Sequence, residues 1–547
     1  MLEAQPIRSG SVRHDRKRTW QGRAAMKGLV SRLVTAFVTV AAVSYGSVVF
    51  AETPAKVLVV GQIAEPKSLD PATVTAVNDF RIVMNLYDGL VRYKDGALEV
   101  EPALAKSWNI SSDGLTYTFA LRSGVKFHDG SDFTADAVKF DFDRMLDEKS
   151  PYHNTGPFPL SFFYSAVKEV KVIDPLTVEF DLKDPYAPFL SNLAYPTGLI
   201  VSPEAIKKFG KDIGRHPSGT GAFVFKEWES NSKVVVERNP AYWDGPPKLE
   251  AVVFRPITDA NTRVAEMLSG GIDMMVEVPP DALGQFKDAA RYQIHQQAGP
   301  HVWFLILNAK EPPFNDKRMR QAVNYAVNKK AITESLLQGT AQIAAGPTPP
   351  AFAWAYDEAL QPYAYDPKRA KDLIKEAGYD GKELTFYVTE GGSGMLDPVP
   401  MGTAIQADFA AVGLKAKIET YEWNTFLGKV NPGLEGKANL AEMAWMTNDP
   451  DTLPYLALRT AAWPDKGGFN SGYYSNPDVD KLLEQARQST DQSERAKLYK
   501  KMQEIDESDQ GLMCTQMMVG IFKRTQLRCL SVICSLYILY YSYCMLE

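Results

Sequence analysis

Hydrophobic and polar positions change period along this chain, and each change marks an element. Residues 56–61 are nearly all apolar after Lys56, the pattern of a strand buried on both faces. Leu115, Tyr117, Phe119 and Leu121 alternate with polar neighbours, and residues 176–182 do the same, which predicts half-buried strands. Residues 222–225 and Val234-Val235-Val236 predict a further pair. Val302-Trp303-Phe304-Leu305-Ile306-Leu307 is an unbroken apolar run and predicts a strand covered on both sides. Residues 384–388, 415–418 and the approach to Trp445 complete the strands.

Between them the period lengthens to that of a helix over 78–88, from Thr134 as N-cap through Val138 and Phe142 to Met145, and over 261–268. Met319, Ala322, Val323, Ala326 and Val327 share one face of a helix capped by Asn315. Residues 401–412, 478–487 and 498–505 read as helices too. Strands alternating with helices predict α/β architecture.

Length divides this α/β material. A chain of 547 residues is too long for one core, and two to four lobes are expected. No low-complexity linker or short repeat separates them, so the crossings between lobes should be strand-like, the clearest near 297–302. The net charge of -6 is mild and no basic stripe runs through the body, which argues against nucleic acid as a partner.

Charge is uneven at the front. Residues 1–51 carry eight Lys/Arg against Glu3 and Asp15, a net +6 that leaves -12 on the rest. Within this front, Met26, Lys27 and Arg32 begin a basic segment, 33–50 is apolar, and Ala51 follows, the pattern of a secretory signal peptide over 26–51 cleaved after Ala51. An N-terminal membrane anchor is the alternative. Residues 1–25 have no place in such a leader and read as an upstream extension, with the true start at Met26.

All four cysteines, Cys514, Cys529, Cys534 and Cys544, fall in the last stretch. An exported body without cysteine has no disulfide to form. Residues 530–546 carry no charge, and 506–547 reads either as the product of a frameshift or misassembled gene end or as a tail anchor.

The most specific chemistry lies in Trp445-Met446-Thr447-Asn448-Asp449-Pro450-Asp451. It offers a small polar ligand an aromatic wall and fixed polar groups, although Asn, Asp and Pro are also ordinary turn residues. Enzyme motifs are weak. Ser123/Lys126 and Ser165/Lys168 each match Ser-x-x-Lys, but no Lys-Thr-Gly accompanies them. There is no phosphate loop. The six histidines show no metal-ligand spacing; His153 and His301 would be the first suspects for a metal. The reading includes no catalytic residue, no metal and no cofactor.

Several collinear motifs resemble one family. They are Ser68-Leu69-Asp70-Pro71; Leu104-Ala105-Lys106-Ser107-Trp108 with Asp113-Gly114-Leu115-Thr116-Tyr117-Thr118-Phe119; Leu121 through Gly130; and Gly219-Thr220-Gly221-Ala222-Phe223. Arg238-Asn239-Pro240-Ala241-Tyr242-Trp243, Arg318-Met319-Arg320-Gln321-Ala322 and Asn470-Ser471-Gly472-Tyr473-Tyr474 complete the set. Across roughly 57–505 the chain is similar to the extracellular solute-binding proteins of bacterial ABC importers, in the peptide/nickel/opine group.

That resemblance implies a type II periplasmic binding fold, two lobes joined by a strand hinge, with an extra α/β subdomain inserted in lobe I. Lobe I would comprise 52–92 and 212–298, the inserted subdomain 93–211 and lobe II 299–505, leaving 506–547 as an aberrant tail without the family's return strand. It implies a monomeric, periplasmic, non-enzymatic protein that closes around a peptide-like or other small polar solute and delivers it to the transmembrane subunits of an ABC permease.

The alternatives are a nickel-type metal-complex or opine carrier, and, from another class, a secreted serine hydrolase using Ser-x-x-Lys. Peptide-binding members place an aspartate three residues after the tryptophan to pair with the ligand ammonium; here that residue is Asn448, with Asp449 the neighbouring substitute. Dipeptide binders also place an arginine before the helix near Met401, and residues 391–397 contain none. Asn78 and Asp79 are the lobe I pocket candidates. Trp423, Phe469 and Tyr473 are the aromatic ones, with Trp463 and Arg459 behind them.

Overall fold

The computed structural model describes residues 56–523 apart from 96, 297, 298, 393, 396, 510, 511 and 518. The leader reading over 26–51, the upstream extension and the uncharged run over 530–546 lie outside the described residues.

Two sheets carry the architecture. A seven-stranded sheet runs in the order Tyr292–Gln296, Val519–Lys523, Met274–Val276, Val57–Gln62, Ala251–Pro256, Lys233–Arg238 and Phe223–Glu229. Its centre is parallel: Val57–Gln62 pairs in parallel with both Ala251–Pro256 and Met274–Val276. A six-stranded sheet runs in the order Ala341–Ile343, Leu512–Met517, His301–Leu307, Leu440–Met446, Leu384–Thr389 and Ala416–Tyr421. Each sheet is the core of one lobe, so the expected two-lobed α/β fold is present.

Every residue of His301–Leu307 is buried. Trp303, Leu305 and Leu307 pack with the helices Lys317–Ala326, Pro367–Ala377 and Pro398–Val412, while Val302, Phe304 and Ile306 pack with Phe426, Tyr474, Tyr499 and Met502. The unbroken apolar run therefore follows from burial on both faces.

Small differences at helix starts have local causes. The helix Lys317–Ala326 is capped by Asp316, whose side chain accepts from the Arg318 N–H, rather than by Asn315. Thr134 precedes Ala135–Leu146 without a side-chain cap bond.

A four-stranded antiparallel sheet in the order Ala105–Ile110, Thr116–Leu121, Thr177–Leu182 and Val167–Asp174 forms the inserted unit. A buried cluster ties it to lobe I. The Arg144 guanidinium sits 2.7 Å from Asp70 and 2.8 Å from Asp141, with none of the three appreciably exposed.

Two of the family motifs converge on a second buried point, Asp88. Its carboxylate accepts from the Thr220 hydroxyl at 2.7 Å, the Tyr242 hydroxyl at 3.0 Å and the Trp243 indole at 2.9 Å. Gly221 lies against the backbone of Leu86, where an added Cβ would come within 2.5 Å of a carbonyl carbon, and its carbonyl meets His128 Nε2 at 3.0 Å.

The chain passes between the two sheets twice. The first passage is from Tyr292–Gln296 to His301–Leu307. The second is from Leu512–Met517, which pairs with His301–Leu307 and Ala341–Ile343, to Val519–Lys523, which pairs with Met274–Val276 and Tyr292–Gln296. On the frameshift reading of 506–547 no return strand is expected here. The backbone supplies one, because two successive extended segments enter open slots between strands already in place. The preceding helix also runs further than expected, over Gln492–Asp509.

Candidate ligand-binding site

The strand Leu440–Met446 delivers residues 445–451 to the place where the first passage enters the lobe II sheet. Thr447 fixes the loop there: its backbone N–H and its hydroxyl both donate to the Pro300 carbonyl at 2.9 Å. The loop is thus attached to the interlobe passage itself.

Trp445 lies on the Phe304 face of the sheet, edge-on to that ring at 6.0 Å. On its other side it meets Phe469 at 6.0 Å, and Phe469 meets Phe162 of the inserted unit at 5.6 Å. Contacts continue through Phe163 and Tyr195 to Phe80 in the lobe I helix Val77–Leu86. The edge-to-face contacts among these each contribute on the order of 1 kcal/mol beyond burial. They make one aromatic path from lobe II to lobe I.

Asn448 is buried and both ends of its amide are engaged. Its Nδ2 donates to Asn192 Oδ1 at 2.8 Å, and its Oδ1 accepts from the Thr452 hydroxyl at 2.5 Å. Asn192 in turn donates to the Phe163 carbonyl and the Tyr186 hydroxyl. The residue that stands where the family resemblance implies a charge therefore joins lobe II to the inserted unit.

Asp449 pairs with Arg495 at 2.6 Å, and both side chains are nearly buried. Asp451 faces Arg487 at 3.3 Å; burial pushes its carboxyl up to about 6 despite that guanidinium. Arg487 also donates to the Tyr186 hydroxyl at 3.0 Å. Arg459 pairs with Glu484 at 2.6 Å.

In lobe I, Asn78 and Asp79 hold one another: Asn78 Nδ2 donates to Asp79 Oδ1 at 3.1 Å, and the same oxygen accepts from the Lys67 N–H at 2.9 Å. Asp79 Oδ2 is buried with no hydrogen-bond partner among the described residues, and burial pushes the carboxyl up to about 7.

Trp423 opens the helix Trp423–Val430, half-buried, with Gly392 beneath it; a Cβ on Gly392 would lie 2.3 Å from the indole. Gly392 of the arginine-free segment is therefore packed against a tryptophan. Tyr473, with a left-handed φ of 55°, sits edge-on to Trp463 at 5.7 Å and under Lys310, apart from the Trp445 path.

The structure thus brings Trp445, Asn448, Asp449 and Phe469 together and leaves Asn78 with Asp79, Trp423 and Tyr473 in separate settings. His153 is held by the Arg144 carbonyl at 3.0 Å, while His301 is buried in the lobe II strand, where desolvation lowers its pKa to about 3. Among the described residues no group of three or more His, Cys, Asp or Glu could hold a metal ion. Lys126 of the first Ser-x-x-Lys pairs with Asp132 at 2.6 Å on the surface.

Sequence reading missed Arg487, Arg495, Asn192, Arg81 and Glu277. Arg495 had a readable signal, since it shares a stripe with Tyr499 and Met502, and an arginine on the buried face of a helix needs a partner. The other four gave none.

Residues 99–466 match the family model described as bacterial extracellular solute-binding proteins, family 5 Middle. Heme-binding protein A of Haemophilus influenzae is 35% identical over 461 residues, covering 80% of this chain and 83% of that protein. Glutathione-binding protein GsiB of Salmonella typhimurium is 33% identical over 468 residues, 83% of this chain and 88% of that protein.

Among solved structures, the periplasmic binding protein DppA from Helicobacter pylori in complex with the peptide STSA superposes with a TM-score of 0.78 at 32% identity, covering 85% of this chain and 94% of that one. A two-lobed α/β fold, two interlobe passages and a tethered aromatic loop define a solute-binding protein of the type II periplasmic class. This chain belongs to the bacterial extracellular solute-binding proteins, family 5. That family consists of binding proteins rather than enzymes, and no helix among the described residues is long and apolar enough to cross a membrane.

Proposed function

We propose that this protein is the periplasmic substrate-binding component of an ABC importer. It captures a peptide-like solute between its lobes and hands it, as a monomer, to the transmembrane subunits. Export would use residues 26–51 as a signal peptide. The working division is 52–92 with 212–298 as lobe I, 93–211 as the inserted unit and 299–505 as lobe II, with the segment up to Lys523 completing both sheets. No catalysis and no cofactor enter the reading.

The observation that carries it is the attachment of the Trp445 loop to the Pro300 carbonyl at the interlobe passage. A solute seated against that loop acts directly on the segment about which the lobes turn, and its binding free energy biases the closed state. The peptide in the Helicobacter pylori relative favours a peptide-like solute. Trp445, Phe469 and Trp423 would supply apolar walls, and Asn78 with Asp79 a polar edge on lobe I.

Native mass spectrometry of the purified mature chain tests this. A small molecule that co-purifies and is released on denaturation is the expected result; a chain that neither retains a solute nor gains one from a periplasmic extract would defeat the capture reading.

A further inference from the structure

The parallel strands of lobe I end together at Gln62, Pro256 and Val276. In open α/β sheets, ligands bind in the crevice beyond such carboxyl ends. The residue that follows the third strand is Glu277, whose φ of 49° places it in the left-handed region, which non-glycine residues rarely adopt and which clusters at ligand sites.

Two arginines hold this turn. Arg81, buried in the helix Val77–Leu86, donates to Glu277 Oε1 at 2.9 Å and reaches Gln62 Oε1 at 3.5 Å. Arg263 donates to the Ile257 and Thr258 carbonyls, at 2.7 and 3.0 Å, and to the carbonyl of Glu277 itself at 3.4 Å. Arg263 therefore fixes the backbone while Arg81 fixes one carboxylate oxygen. The other, Oε2, is buried and has no hydrogen-bond partner among the described residues. A desolvated acceptor left without a donor is unfavourable and calls for an explanation.

We infer that Glu277 Oε2 is the acceptor for a cationic group of the solute, an ammonium such as a peptide's free amino end, with Arg81 as its positioning residue. The inference rests on the solute-capture reading and relocates the expected charge. On the Trp445 loop, Asn448 is joined to Asn192 and Asp449 faces Arg495; Asp451 faces Arg487 through one oxygen, and although its Oδ1 lacks a partner among the described residues, burial pushes that carboxyl up to about 6, toward its neutral form. Glu277 offers a held carboxylate from the opposite lobe, with one buried oxygen that lacks a donor among the described residues. Asp79, a further lobe I carboxyl with an unpartnered oxygen among the described residues, is shifted by burial toward its neutral form and is the poorer counter-charge.

The test is calorimetric titration of the full mature chain with trialanine and with N-acetyl-trialanine. Wild type should bind trialanine at least about tenfold more tightly than its acetylated form, and Glu277→Gln should abolish the difference by weakening only the free amine. Because Glu277→Gln leaves Arg81 buried without a counter-charge, the double variant Arg81→Gln/Glu277→Gln is measured beside it, with thermal unfolding as the check on folding.

Trialanine bound equally by wild type and a folded variant overturns the assignment, as does equal binding of both peptides by wild type. Failure of wild type to bind either peptide also overturns it, while the capture reading is decided separately by the co-purified solute.

Discussion

The loop 445–451 and the lobe I wall around Asn78, Arg81 and Glu277 are both rich in buried polar groups, yet they use them differently. On the loop, Asn448 and Asp449 are matched to Asn192 and Arg495, while Asp451 meets Arg487 through one oxygen and keeps the other without a partner among the described residues. On the wall, Asp79 and Glu277 each keep one carboxylate oxygen without a partner among the described residues. A matched buried pair holds structure; an unmatched buried acceptor is a place where something else can bind or a proton can sit. The difference teaches that identical residue types differ in how far they are satisfied according to what packs behind them.

The comparison breaks most sharply at Asp449. Replacing it by alanine strands the Arg495 guanidinium in a nearly dry site, and urea unfolding should show a loss of about 3–5 kcal/mol. A loss below about 1 kcal/mol would mean that the loop's charges are not structural after all.

The second prediction concerns pH on the opposite wall. The folded pKa of Asp79, about 7, lies above the ordinary carboxyl value of roughly 3.9. The native state then holds a proton that the unfolded state has released, so this group's stabilising contribution is complete below pH ~4 and is lost as pH rises through ~7. Relative to Asp79→Asn, wild type should lose on the order of 2 kcal/mol between pH 5 and 7. Parallel stability profiles of the two proteins would show Asp79 to be matched like the loop residues.

The smallest effect is expected for Asn448→Asp. A carboxylate cannot donate to Asn192 Oδ1, and Asn192 already directs its own donors to Phe163 and Tyr186. A loss of about 1–2 kcal/mol in unfolding free energy should appear. An unchanged or more stable Asn448→Asp protein would separate the loop from the inserted unit and return position 448 to the ligand.

The fold was legible because its signals are periodic and locally enforced. The run Val302 to Leu307 announces a sheet covered on both faces, and the sheet has helices on both. The family motifs were legible for a related reason: Thr220, Tyr242 and Trp243 meet at Asp88, where little can vary without leaving a buried carboxylate unmatched.

The same motifs say little about the ligand, because that junction is scaffold. Trp445 was readable as an aromatic anchor. The pairing of Asn448 with Asn192 was not, since it joins residues 256 apart in the chain. Glu277 gave no signal either, set between two valines just past the strand Met274–Val276. The expectation of a missing return strand erred because it rested on motif similarity, whereas a strand slot accepts extended backbone of many sequences.

The second interlobe passage has a consequence for biosynthesis. Val519–Lys523 lies between Met274–Val276 and Tyr292–Gln296, and Leu512–Met517 lies between Ala341–Ile343 and His301–Leu307. Until those residues leave the ribosome, each sheet has a vacant lane flanked by unpaired backbone donors and acceptors. Neither lobe can finish early while the other waits, and a dozen late residues complete both. A nascent chain held incomplete in this way stays loose, and its open lanes are the surfaces a holding chaperone would need to cover.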